Sequence, residues 1–230
     1  MIIALAGNIG VGKDAIADLL CAQHGFARTA FAKALKKLAA DVFLFDDATL
    51  YGPSANRNKP HAPALYKDYW DRVESRLDSD VLWDTLEELF GSAKAPEASA
   101  SLWRLYNELS SDVTGFTARK VLQRLGTDWG RAVDDRVWLN AVSRELRAAP
   151  KTVITDCRFP NEAEFILTEG GRVVWVDASG RVAKTEASAH ASEPTIADFS
   201  GLLSHILDNN GDLETLPARV ESMLSALRAA

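Results

Sequence analysis

An apolar run, Met1-Ile2-Ile3-Ala4-Leu5-Ala6, leads straight into Gly7-Asn8-Ile9-Gly10-Val11-Gly12-Lys13-Asp14. The spacing is G-x-x-x-x-G-K, set between a strand pattern and an amphipathic helical one carrying Ala15, Ile16, Leu19 and Leu20. The glycines let the backbone turn with its N–H groups pointing inward. Those donors and the following helix N-terminus suit phosphate oxygens, and Lys13 can reach the β and γ phosphates. The string alone arises by chance, and its context makes it a nucleotide-binding P-loop. One letter departs from the pattern: position 14, where Ser or Thr is expected, holds Asp.

The rest of the chain continues the alternation that such a loop requires. A helix is expected from Lys13 to His24, a short strand at 27–30, and a second helix carrying Phe31, Leu35, Leu38 and Val42. Lys33, Lys36 and Lys37 lie on the solvent side of that helix. Residues 46–63 read as loop, and 64–91 return to helical periodicity through Trp70, Val73, Leu77, Leu82, Leu86 and Leu89. A Ser/Ala/Pro-rich break at 92–101 precedes a short helix at 102–110. Thr117 reads as an N-cap and Gly126 as a helix stop. Further helices are expected at 136–148, 162–169 and from the Asn209-Asn210-Gly211 turn to Leu227. Strands are expected at 152–155, 172–176 and 203–207. Strands alternating with helices imply βαβ units and a parallel sheet. The length of 230 residues suits a single α/β domain, with 46–115 a helical insertion on the substrate side.

Composition removes several classes. A net charge of −6 allows a local phosphate site but disfavours polymeric nucleic acid, whose affinity comes largely from Lys and Arg on its phosphates. Cys21 and Cys157 stand far apart without a C-x-x-C partner, so zinc is not expected and a reduced, cytoplasmic setting fits. No basic, apolar leader opens the chain, and no apolar run approaches the ~20 residues of a membrane span.

A second constellation follows the strand Val153-Ile154-Thr155. It closes on Asp156, and strand C-termini in a parallel sheet face the ligand crevice. A carboxylate there can hold Mg²⁺ directly or through water, or simply cap the next turn. Arg158, two residues on, has a fork suited to phosphate oxygens or to a salt bridge with Glu162 or Glu164. Arg119 and Arg124 sit five apart on one helix, so they do not share a face. Arg131 and Arg136 flank the next turn, which supplies more cations than phosphoryl transfer needs. Trp70, Trp83, Trp103 and Trp129 could stack on a base, although aromatics at helical spacing usually build cores. His24 and His205 read as structural, and His190 lies in a polar loop.

These segments resemble the bacteriophage deoxynucleoside monophosphate kinases. The resemblance rests on the P-loop with Asp14, then Ala17-Asp18, on Tyr51-Gly52-Pro53 with Arg57-Asn58-Lys59, and on the run from Val121 through Gln123, Arg124, Gly126 and Trp129 to Arg131. It continues in Asp156-x-Arg158-Phe159-Pro160-Asn161-Glu162, His190-Ala191-Ser192-Glu193 and Asn210-Gly211. The segments occur in family order, and 62–115 is the stretch without a recognised motif. The resemblance implies a P-loop kinase three-layer sandwich. It implies transfer of the ATP γ-phosphoryl group to a deoxynucleoside 5′-monophosphate, with Mg²⁺. Carried over, Gly7, Asn8, Gly10, Val11, Gly12 and Lys13 hold ATP, with Asn209, Asn210 and Gly211 beside the adenine. Lys13, Asp14, Asp156 and Arg158 are the catalytic candidates, and Asp14 and Asp156 the metal-side acids. Arg57, Lys59, Arg119, Gln123, Trp129, Arg131, His190 and Glu193 are the substrate-side candidates. Asp14 is open to three roles: direct metal ligand, ligand through water, or base. The partners implied are small-molecule nucleotides, in the host cytoplasm if the chain is phage-encoded, with a homodimer left open.

Three other readings compete. A kinase acting on hydroxymethyl-pyrimidine bases in phage DNA would share the cradle but needs a nucleic-acid groove. A P-loop switch would need a guanine motif, and Asn58-Lys59-Pro60-His61 carries His where that motif has Asp, too early in the chain. A binding module without turnover is disfavoured by the intact Lys13.

Overall fold

The computed structural model describes residues 1–113, 115–181 and 195–229. The chain divides into two compact units, one formed by residues 1–31 and 142–230 and the other by 32–141.

The first unit is built on five parallel strands: β1 (Ile2–Ala6), β2 (Ala27–Thr29), β3 (Thr152–Cys157), β4 (Arg172–Asp177) and β5 (His205–Asp208). Their order is β2-β3-β1-β4-β5, with β1 central between β3 and β4. The three inner strands β1, β3 and β4 carry buried apolar residues on both faces, as a sheet covered on both sides requires. Ile3, Leu5, Val153, Val174, Val176 and Leu207 face helices α1 (Lys13–His24) and α11 (Leu216–Ala229). Ala4, Ala6, Ile154, Val173 and Trp175 are buried as well, and α10 (Pro160–Thr168) packs on β1 and β4. The parallel α/β sheet flanked by helices is therefore as the sequence predicts. Ile16 and Leu20 of α1 are fully buried, and each such side chain contributes about 1.5–3 kcal/mol. The Arg28–Asp18 pair between β2 and α1 lies at the surface, with Asp18 71% exposed, and exposed pairs give about 0–1 kcal/mol. Apolar burial thus holds α1 to the sheet.

The second unit is helical. It contains α2 (Ala32–Phe43), α3 (Asp47–Leu50), α4 (Ser54–Asn58), α5 (Lys67–Leu77), α6 (Asp80–Phe90), α7 (Ala95–Ser111), α8 (Ala118–Gln123) and the start of α9 (Val137–Ala148). An aromatic cluster of Phe45, Tyr69, Trp70 and Phe116 sits in its core.

Several boundaries differ from expectation, each for a local reason. The 46–63 loop contains two short helices, the first capped by the Asp46 carboxylate accepting from Thr49 N–H at 2.8 Å. The 64–91 stretch is two helices, because Ser79 caps a new start by accepting from Leu82 N–H. The break at 92–101 shrinks to a turn, since α7 starts at Ala95 with a proline in its first turn, where the missing N–H costs nothing. Gly126 does not stop a helix. The backbone runs on as a π-helix over Arg124–Arg131, and Trp138 Nε1 donates to the Gly126 carbonyl at 3.0 Å. A Cβ on Gly130 would lie 2.6 Å from the Trp138 ring. These two glycines serve close packing. Among the described residues no helix is long and apolar enough to cross a membrane.

Candidate active site

The P-loop leaves β1 at the C-terminal edge of the sheet and closes on α1. Gly7, Gly10 and Gly12 have φ of 134°, 80° and 95°, values that side chains rarely tolerate. A Cβ at Gly7 would lie 2.7 Å from the Val176 carbonyl oxygen, so β4 permits only glycine there. Gly12 is the N-cap of α1 and supplies no side-chain cap. A helix N-terminus of this kind carries the positive end of the helix dipole and favours anions. Lys13 folds back over the loop, its ammonium donating to the carbonyls of Gly7 at 2.6 Å and Asn8 at 2.8 Å. This holds a cation over the glycine loop.

β3 lies next to β1, so its end stands beside this loop. Asp156 Oδ1 accepts from Phe31 N–H at 2.7 Å, which fixes the carboxylate at the ends of β2 and β3. Burial pushes the Cys157 thiol well above its ordinary pKa, helped by Glu162 and Asp156 and opposed by Lys13. Lys13, Asp156 and Glu162 thus all act on one buried strand end. Glu162 is 3% exposed. One of its oxygens accepts from the N–H groups of Arg158 at 2.8 Å and Phe159 at 3.2 Å, setting the turn that carries Arg158. Thr29, also buried, donates to Glu145 at 2.7 Å.

Asp14 is placed differently from the other acids. Its side chain is 80% exposed and pairs with Arg28, which also binds Asp18 at 2.8 Å. The i,i+4 spacing puts both acids on one face of α1, and the β2 arginine brackets them.

On the other side of the P-loop, Asn209 is buried, its Nδ2 donating to the Val11 carbonyl at 2.7 Å and its N–H to Asp177 at 2.6 Å. Asn210 Oδ1 accepts from Gly180 N–H at 2.7 Å. Arg219 donates to the Asp208 carbonyl and carboxylate, both at 2.6 Å, and braces this turn from α11. Asn209 is thus a backbone support for the cradle. Arg181, which no sequence motif marks, donates from Nε to Asn209 O at 3.3 Å. Its signal was position alone, because it follows β4 at the C-terminal edge of a parallel sheet.

The described substrate-side candidates lie in the second unit. Arg57 donates to the carbonyls of Leu50 at 2.9 Å and Gly52 at 3.3 Å. Lys59 donates to Asn56 at 2.9 Å, and Arg119 to Asn58. A bridge between Pro60 and Thr117 ties the end of α4 to the start of α8. Arg57, Lys59 and Arg119 therefore gather at the α4–α8 seam, beside a cleft of about 280 Å³ lined by Thr49, Asn56, Lys59, His61 and Ala118. Gln123 is exposed on the Arg119 face of α8, and Arg131 ends the π-helix. The expectation for Trp129 is corrected. The indole is 2% exposed, donates to Ala98 O at 2.9 Å and packs edge-on to Phe90, so no ring face is open to a base. His190 and Glu193 lie outside the described residues.

The profile of the deoxynucleotide monophosphate kinases matches residues 86–220, more than half of the chain. The chain belongs to the deoxynucleotide monophosphate kinase family. A protein of Acanthamoeba polyphaga mimivirus, provisionally named a deoxynucleotide monophosphate kinase, is 24% identical over 239 residues, covering 96% of this chain and 95% of its own. The deoxynucleoside-5′-monophosphate kinase of Escherichia phage T5 is 26% identical over 188 residues, covering 72% of this chain and 71% of its own. The family match begins at residue 86, so the loop at residues 7–13 stands on its sequence spacing and backbone geometry.

Proposed function

We propose that this chain transfers the γ-phosphoryl group of ATP to the 5′-phosphate of a deoxynucleoside monophosphate, giving ADP and the deoxynucleoside diphosphate. An acceptor phosphate oxygen bonds to the γ-phosphorus while the bond from that phosphorus to the β–γ bridging oxygen breaks, its electron pair leaving on ADP. The acceptor phosphate is ionised near neutral pH and needs little general base, so catalysis rests on positioning and charge neutralisation. The observation that carries the reading is the glycine cradle at the α1 N-terminus, with Lys13 held over its carbonyls.

In this reading Gly7–Lys13 hold the donor phosphates, and the 209–211 turn supports the loop on its adenine side. Lys13 follows the charge that develops on the transferred group. Arg158 adds a fork near the same strand end. Arg57, Lys59, Arg119, Gln123 and Arg131 serve the acceptor, with cations matched to its phosphate. Asp14 and Asp156 supply hard oxygen donors, the type Mg²⁺ takes alongside water and phosphates. Asp156 suits it best, because its carboxylate is already fixed by Phe31 N–H. Asp14 would have to share its carboxylate with Arg28. Bound there, Mg²⁺ would act as a Lewis acid and offset the charge of the phosphates. The working compartment in this reading is the cytoplasm.

The test is a coupled ADP-release screen of the full chain with ATP, Mg²⁺ and each common deoxynucleoside or nucleoside monophosphate. One or more deoxynucleoside monophosphates should stimulate ADP release, and Lys13→Ala should remove most of that turnover while the protein stays folded. ATP hydrolysis indifferent to every acceptor, or full turnover in Lys13→Ala, would refute it.

A further inference from the structure

Arg181 follows β4 and stands beside the glycine loop. Arg28 pairs with Asp14 and Asp18, and Arg219 with Asp208. Among the described residues no carboxylate pairs with Arg181, and its one side-chain hydrogen bond is the 3.3 Å contact from Nε to Asn209 O. The turn that carries it is well tied. Ser179 N–H donates to Asp177 at 2.9 Å, Gly180 N–H to Asn210 at 2.7 Å, and Arg181 N–H to Ala178 O at 3.0 Å.

This anchoring delivers the guanidinium to the phosphate cradle. Nη2 lies 3.5 Å from the point a Cβ of Gly12 would occupy. Gly12 is the N-cap of α1 and directly precedes Lys13. Three sources of positive charge therefore border one loop: the helix N-terminus at Gly12, the Lys13 ammonium over Gly7 and Asn8, and the Arg181 fork beside Gly12. Such a convergence is unfavourable by itself, because cations are disfavoured at a helix N-terminus. A polyanion reverses the sign of each pairwise term, and a planar guanidinium fits phosphate oxygens in a bidentate way.

We infer that Arg181 is a ligand of the donor polyphosphate, gripping non-bridging oxygens of the nucleotide that the P-loop holds. The inference rests on the P-loop reading above and adds a residue from the β4 side of the cradle. Asn209 couples the two, because one residue supports Val11 through its side chain and receives Arg181 through its carbonyl.

The test uses the full chain and isothermal titration with three probes: Mg-ATP, inorganic tripolyphosphate and adenosine. Arg181→Ala should weaken Mg-ATP and tripolyphosphate by ~10-fold or more, the size expected for a lost hydrogen bond to a charged group. Adenosine binding should be unchanged. Arg181→Lys keeps the charge without the fork and should fall between wild type and Arg181→Ala. Arg181→Gln carries the test if the alanine variant fails to fold, and should weaken tripolyphosphate like the alanine. Tripolyphosphate binding within twofold of wild type in Arg181→Ala, alongside lost binding in Lys13→Ala, would overturn the inference and leave the P-loop reading standing. A loss confined to adenosine would also overturn it, by assigning Arg181 to the base. Wild-type protein that binds neither tripolyphosphate nor Mg-ATP would sink both.

Discussion

Asn209→Ala probes the support of the P-loop most directly. The side chain is 5% exposed, and its Nδ2 donates to the carbonyl of Val11, itself 5% exposed. Alanine keeps the main-chain bond to Asp177 O but leaves the Val11 carbonyl without that partner. A buried acceptor so orphaned costs about 1–3 kcal/mol. For a chain of this size each kcal/mol moves Tm by about 2–4 °C, so a drop of about 2–12 °C is expected.

The same contact makes a stricter prediction. A Cβ on Gly12 would overlap Asn209 Nδ2, and Gly12 has φ 95°. Gly12→Ala therefore carries two penalties in wild type: the overlap, and left-handed strain of about 1–2 kcal/mol. In the Asn209→Ala background the overlap is gone and the strain remains. The double variant should thus be more stable than the sum of the singles predicts, by more than the ~0.5 kcal/mol within which independent sites add. Urea and thermal melts of the four proteins measure this. Additivity within that margin, or an Asn209→Ala protein that melts with wild type, would refute the account of how β5 holds the loop.

Three further outcomes test other parts of the structure. Burial pushes the His61 imidazole below its ordinary pKa against the opposing pull of Asp46, so the unfolded chain takes up a proton more readily than the folded one. Stability should fall as pH drops through the unfolded value of about 6.5 and level off below the folded one. His61→Phe, set among Phe45, Tyr69 and Phe116, should flatten that dependence in melts from pH 5 to 7.5, and an unchanged slope would count against the burial argument. Gly130→Ala should cost about 1–3 kcal/mol, because its Cβ would meet the Trp138 ring at 2.6 Å and Leu125 O at 2.9 Å; a neutral result would contradict the tight π-helix packing. Arg28→Ala should cost no more than about 1 kcal/mol, less still in high salt, since Asp14 and Asp18 are 80% and 71% exposed.

The elements that short-range pattern specifies were legible in the sequence. Strand β1 and helix α1 fall where the apolar run and the Ile16–Leu20 spacing put them, because both signals lie within one turn or one strand. The strand before Asp156 was legible too, although β3 runs one residue past the acid to Cys157. The two glycines of 124–131 were misread for a physical reason. A glycine that stops a helix and one that lets a Trp ring approach look alike in sequence, and only the contact to Trp138 separates them. Trp129 shows the same ambiguity, since an aromatic near predicted site residues can as well be the centre of a core.

The site contacts that escaped the sequence join residues far apart along the chain. Asn209 supports Val11 from 198 positions away, and Asp156 receives Phe31 N–H across 125. Asp14 illustrates what this changes. As a letter it replaces the metal-binding hydroxyl of a P-loop, which suggests a stronger metal ligand. In the fold it is a solvent-exposed acid already bracketed with Asp18 by Arg28. A cation recruited to Asp14 must compete with a guanidinium, whereas one recruited to Asp156 meets a carboxylate oriented by a main-chain N–H. If charge at this edge of the sheet is what binds the polyphosphate, removing Arg28 and removing Arg181 should act in opposite directions on metal demand. Loss of Arg28 exposes an acid and should lower the Mg²⁺ needed for half-maximal nucleotide binding. Loss of Arg181 deprives the polyanion of a cation and should raise it. Titrating Mg²⁺ against a fixed ATP concentration in both variants distinguishes this from a purely structural role, for which the two Mg²⁺ midpoints would stay with wild type.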